Sequence, residues 1–211
     1  MAAATPLRPV PDLKRSTAFG GGGPSPAGAP KGADPTLAVV IFIGSEVMLF
    51  GGLLSAFLVA RASASFWPPP NQPRLPVAVT GLNTILLVMS GLTMWRVVRS
   101  LRQHDQAGAM RWMGATIVLG ALFLAIQGSE WARLIRFGLT MTSSLYGGMF
   151  YLIVGAHALH LAVAVAVLLF VASRVWRGRY DVDFRGVVAC SVYWSFVVIL
   201  WPIIYALVYF S

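Results

Sequence analysis

The sequence predicts an all-α fold: a polytopic membrane bundle of five transmembrane helices, N-terminus cytoplasmic and C-terminus outside. Three observations predict it. Of 211 residues, 57% are hydrophobic and only 11% charged, where soluble domains carry roughly 25% charge. The apolar residues gather into five runs, each able to span about 30 Å of hydrocarbon with about 20 helical residues. Lysine and arginine, finally, are distributed unequally between alternate loops.

Residues 1–35 come first and are rich in Ala, Pro and Gly, with Gly20 to Gly23 consecutive. Such a stretch cannot bury enough apolar surface to offset the entropy of ordering, so it reads as a disordered cytoplasmic tail. It lacks the apolar region of a cleavable signal peptide and is expected to stay attached. The membrane domain covers 36–211, with spans at about 37–60, 77–98, 112–135, 145–175 and 187–210. Pro76 suits the first turn of the second span, and Pro202 is expected to kink the fifth. The fourth is long enough to tilt or protrude. Between the first two spans, the proline-dense stretch Trp67-Pro68-Pro69-Pro70 predicts a stiff outer cap with Trp67 at the interface.

Orientation follows from the basic residues. Arg8, Lys14, Arg15, Lys31, Arg96, Arg99, Arg102, Arg111, Arg174, Arg177, Arg179 and Arg185 fall on one side, and Arg61, Arg74, Arg133 and Arg136 on the other. The excess marks the cytoplasmic face. The net charge of +9 is therefore read as loop charge, with no nucleic acid as partner. A single cysteine, Cys190, allows neither a disulfide framework nor a thiol pair.

Ionisable groups inside a span are costly and nearly always face protein or water, so they mark the candidate site. Glu46 lies in the first span, roughly 5 Å to the cytoplasmic side of the midplane, and His157 and His160 lie within about 3 Å of it in the fourth. The histidines, three apart, share a helix face. The three groups form a candidate buried polar cluster suited to proton exchange or to hydrogen bonding with a lipid headgroup. Packing glue between spans is the competing role. Gln127 and Glu130 make a second polar pair on one face of the third span, nearer the outer surface. Gly51, Gly52 and Ser55, and Gly147, Gly148 and Gly155, are expected to let backbones approach. The aromatic stripe Trp194, Trp201, Tyr205 and Tyr209 reads as a contact surface.

Haem is disfavoured. Two histidines three apart on one helix cannot reach opposite faces of one porphyrin, and His104 belongs to a cytoplasmic loop. No metal is assigned, because the Glu-x-x-His pattern of di-iron bundles is absent. No catalytic residue is assigned either.

These residues carry a resemblance. Ser45-Glu46 with Phe50, Trp67-Pro68-Pro69, Leu82-Asn83-Thr84 with Ser90-Gly91, and Gln127 with Glu130-Trp131 come in order. Tyr146-Gly147, Phe150-Tyr151, Gly155, His157 and His160 follow, then Tyr193-Trp194, Trp201 and Tyr205. In that order and spacing the chain resembles subunit III of the haem–copper respiratory oxidases, the cytochrome c oxidase subunit III family, in its five-span form. It departs from the pattern at Ser195 and Val198, where the family usually has histidine and aspartate. The tail stands where longer members have two further spans.

The resemblance implies a redox-inactive subunit of a terminal oxidase in a bacterial-type cytoplasmic (inner) membrane. It would flank and stabilise catalytic subunit I beside subunit II, bind structural phospholipid, and support proton uptake during oxygen reduction by cytochrome c. Haem and copper would reside in the partner subunits, with no cofactor in this chain. Glu46, His157 and His160 match family positions inside the bundle and inherit a lipid- or proton-related role. A quinol oxidase or nitric oxide reductase partner is an alternative reading. A small proton-coupled transporter is a remote one, opposed by the lack of an inverted repeat.

Overall fold

The computed structural model describes residues 35–69, 75–176 and 184–210. The tail over 1–34, the outer-loop stretch 70–74 with Arg74, and the loop arginines Arg177 and Arg179 lie outside the described residues.

Five helices follow one another: α1 (Pro35–Ser63), α2 (Val77–Arg102), α3 (Gln106–Arg136), α4 (Leu145–Trp176) and α5 (Phe184–Tyr209). All five are long and apolar enough to cross a membrane. Their mean amphipathicity is low because lipid wets the outward faces and apolar side chains therefore serve on every side.

The ends are set by local chemistry. Asp105 caps α3, its carboxylate accepting from Gly108 N at 2.8 Å, and Ser144 Oγ accepts from Gly147 N at 3.1 Å as α4 opens. Helix α3 ends in a Schellman pair, Gly138 N to Ile135 O and Leu139 N to Leu134 O, both 3.0 Å, with Gly138 at φ 88°. Helix α2 ends the same way, with Asp105 N donating to Ser100 O at 2.9 Å. There His104 takes the left-handed position at φ 57°. That accounts for His104: it turns the chain between two helices.

The arrangement centres on α2, α3 and α5, with α2 packed most extensively on α3, and α4 against α3 and α5. Helix α1 packs on α5 and more thinly on α4. Without a hydrophobic force between helices in lipid, van der Waals fit and hydrogen bonds must hold them. Three aromatic side chains of α5 supply the bonds to α2. Trp194 Nε1 donates to Ser90 Oγ at 3.3 Å, Trp201 Nε1 to Thr84 Oγ1 at 2.9 Å, and Tyr205 OH to the Val77 carbonyl at 2.8 Å. Asn83 Nδ2 donates to Phe123 O at 3.2 Å and Thr93 meets Thr116 at 2.8 Å, tying α2 to α3.

Glycine behaves differently from the expectation at two positions. A Cβ added at Gly51 or Gly52 would meet nothing within 4 Å, so these residues face outward and bring no helix of this chain closer. Close approach occurs at Gly120, against the Trp194 ring, at Gly91, against Val198, and at Gly147, against the Thr140 carbonyl. The loop tryptophan also differs. Trp67 turns inward, its ring edge-to-face with Phe57 at 5.4 Å and with Tyr146 at 5.2 Å, at the end of the bundle where α1 finishes and α4 begins. Helix α5 runs through Pro202 without interruption.

Candidate functional site

Of the three expected cluster members, the structure brings two together. Glu46 on α1 and His160 on α4 approach to 2.8 Å between Oε2 and Nε2. The alignment is that of a close ion-pair contact rather than a linear hydrogen bond. The other ring nitrogen, Nδ1, lies 2.6 Å from the Ala156 carbonyl one turn back on α4. A carbonyl only accepts, so that network assigns the proton to Nδ1. Nε2 is the ring nitrogen turned to the Glu46 carboxyl. Acid and imidazole thus face each other inside the bundle, the arrangement expected of ionisable groups within a span. Phe50 lies edge-on to His160 at 5.4 Å.

His157 is elsewhere, and the expectation that it joins Glu46 is corrected. The 100° step sets His157 and His160 about 60° apart around α4. That is enough to turn one toward α1 and the other toward α3 and α5. His157 is fully buried, 4.9 Å from the Trp201 ring and 6.4 Å from Phe123 between centroids.

Gln127 and Glu130 are both buried but do not bond each other. Gln127 Nε2 donates to Tyr209 OH at 3.2 Å, and Glu130 pairs with Arg133 at 3.0 Å. The remaining predicted positions are structural supports: Asn83, Thr84, Trp194 and Trp201 in the α2–α3–α5 seam, and Trp67 and Gly147 at the end where α4 begins. Gly155 sits in ordinary contact, 3.8 Å from the Trp131 ring. Pro68 and Pro69 follow Trp67 in the chain. Ser195 is exposed and bonds only its own helix, at Ser191 O, while Val198 is buried against Gly91. Sequence reading missed the Thr93–Thr116 contact and the role of Tyr209. The repeat Thr80, Asn83, Ser90, Thr93 on one stretch of α2 was the available signal for the first.

Two apolar grooves run beside α1, lined by its residues before and after Glu46 in sequence. One, of about 260 Å³, is lined by Val39, Phe42, Val163, Val167, Cys190 and Tyr193. The other, of about 340 Å³, is lined by Val47, Phe50, Gly51, Leu54, Phe196 and Ile199 among others. Among the described residues, no three His, Cys, Asp or Glu side chains converge as a metal set.

Five apolar helices holding an acid–imidazole pair inside the bundle define a multi-pass integral membrane protein whose polar chemistry lies within the bilayer. Residues 30–211 match the sequence family described as cytochrome c oxidase subunit III. The chain is 34% identical over 176 residues to cytochrome c oxidase subunit 3 of Synechocystis sp., covering 81% of this chain and 73% of that one. It is 33% identical to a probable cytochrome c oxidase subunit 3 of Mycobacterium leprae, and 34% to that of Nocardia farcinica. Each match covers 83% of this chain and 87% of the relative. The chain belongs to the cytochrome c oxidase subunit III family.

Proposed function

We propose that the protein is the redox-inactive third subunit of a haem–copper terminal oxidase, embedded in a bacterial cytoplasmic membrane beside subunits I and II. Haem and copper belong to those partners. This chain flanks and stabilises subunit I, holds phospholipid, and supports proton uptake during oxygen reduction with cytochrome c as donor.

The observation that carries the reading, in a chain of this family, is the Glu46–His160 pair, on a helix whose residues before and after Glu46 line apolar grooves. The grooves have the chemistry of acyl chains. The pair holds a proton that moves between acid and ring without changing the net charge buried in the bilayer.

The test is Glu46→Gln in the tagged, assembled complex. The amide keeps the shape and a neutral contact to His160 but removes the exchangeable acid proton. Assembly and haem spectra are expected to be unchanged. Lipid retained through purification, or turnovers completed before inactivation, should fall about two- to threefold, the equivalent of the ~0.6 kcal/mol typical of a polar contact between spans. Collapse of assembly would instead make Glu46 structural glue. A chain recovered alone in quantitative yield under mild detergent, or a Soret band on the isolated chain, would refute the oxidase-subunit role.

Orientation gives a second expected result. With the arginine-rich ends of α2 and α3 in the cytoplasm, a tag after the last residue is labelled by impermeant reagents in spheroplasts and one before the first residue is not. The reverse pattern would invert the bundle, placing Glu46 on the outer side of the midplane.

A further inference from the structure

The centre of the bundle contains a second polar site, independent of the Glu46–His160 pair. His157 is fully buried, and neither Nδ1 nor Nε2 has a hydrogen-bond partner among the described residues. Two amide oxygens on the helices facing α4 through Phe123 share this condition: Asn83 Oδ1 on α2 and Gln127 Oε1 on α3, on residues 1% and 2% exposed. All three residues surround the same aromatic pair. His157 stacks on Trp201 and meets Phe123, Phe123 and Trp201 touch edge-to-face at 5.0 Å, Asn83 bonds the Phe123 carbonyl, and Gln127 lies one turn along α3 from Phe123.

Such atoms do not stay unpaired at the centre of a membrane protein, because each costs more than the bond it lacks would contribute. Rearranging the amides does not pair them. The Asn83 nitrogen already donates to a carbonyl, so reversing that amide would set oxygen against oxygen. Reversing Gln127 would trade an orphaned oxygen for an orphaned nitrogen. A neutral imidazole brings one N–H and one lone pair, so it can serve only one of the two oxygens and still lacks a donor for itself. Water is the ligand that fits: two donors and two acceptors in one small body, with buried waters typically making about three bonds to groups of this kind.

We infer that at least one structural water is bound between α2, α3 and α4 at His157, bridging its imidazole to the Asn83 or Gln127 carboxamide oxygen. This explains why a histidine occupies a place whose walls are aromatic. A phenylalanine would stack equally well on Trp201, but it would leave the water and the amide oxygens without their shared partner.

A density map of the assembled complex tests the site directly. The expected result is a solvent peak about 2.6–3.2 Å from a His157 nitrogen and from the Asn83 or Gln127 oxygen. A map that resolves other buried waters but sets both His157 nitrogens against carbon, or bonds them directly to protein, overturns the assignment. His157→Phe gives an independent readout of opposite sign for the two cases. With bridging water, the thermal midpoint of the chain in the complex falls by about 3 °C or more. With dry, unpaired nitrogens it holds or rises, which overturns the site. In an Asn83→Leu background the fall should shrink, since both residues share the solvent. Full additivity would mean lost packing and would overturn it as well.

Discussion

Trp201→Ala is expected to destabilise the bundle by about 3 kcal/mol, the cavity cost of some 140 Å³ left behind at roughly 24 cal/mol per Å³. The transfer term that dominates in soluble cores contributes little here, because lipid is as apolar as the site the ring leaves. What is lost is contact. Trp201 is fully buried, lies against Phe123 and His157, and carries the indole N–H that joins α5 to Thr84 on α2 at 2.9 Å. Trp201→Phe separates the terms. It keeps an aromatic body and loses the hydrogen bond, so it should cost about 1 kcal/mol. Reversible unfolding in mixed micelles measures both. A loss for the alanine variant below about 1 kcal/mol would show that α5 is held by something other than its aromatic stripe.

The two tryptophan variants also mark where sequence reading stopped. The five helices were legible because hydropathy and length are one-dimensional properties, and the observed helices contain the expected spans nearly end to end. That the aromatic stripe is a contact surface was legible from the seven-residue spacing of Trp194 and Trp201. Which neighbours it contacts was not, since four other helices are available and only the packed bundle shows that the stripe bonds α2 while its rings lie against α3 and α4. The histidines show the same limit. Three residues apart reads as one face, yet the 60° between them suffices to place His160 on Glu46 and His157 on Trp201. The glycines show it from the other side. Gly51 and Gly52 have the composition of a close-packing face, but whether a face is turned inward depends on the neighbours, and among the described residues nothing lies within 4 Å of a Cβ placed there. Trp67 was placed at the interface by residue type. The contacts of its ring with Phe57, ten residues back, and with Tyr146, far along the chain, were not legible from residue type.

The second large effect concerns the Glu46–His160 contact, and its size depends on which partner is removed. His160→Leu leaves Glu46, 8% exposed, with no other short polar contact among the described residues. Stripping one member from a buried pair costs about 3–5 kcal/mol. The lower end applies, because a lone carboxyl limits the penalty by taking up a proton. Glu46→Leu is milder, about 1 kcal/mol, because the remaining imidazole is neutral and its Nδ1 proton still lies 2.6 Å from the Ala156 carbonyl. The double replacement removes both polar groups and their desolvation together, so it should be less damaging than His160→Leu alone, a reversal that simple addition of losses forbids. Unfolding of the four chains of this cycle under identical detergent and lipid conditions measures the coupling. Equal costs for the two single variants, or a double variant worse than either, would mean that acid and ring stabilise the bundle separately. The proton they are held to share would then have no structural basis.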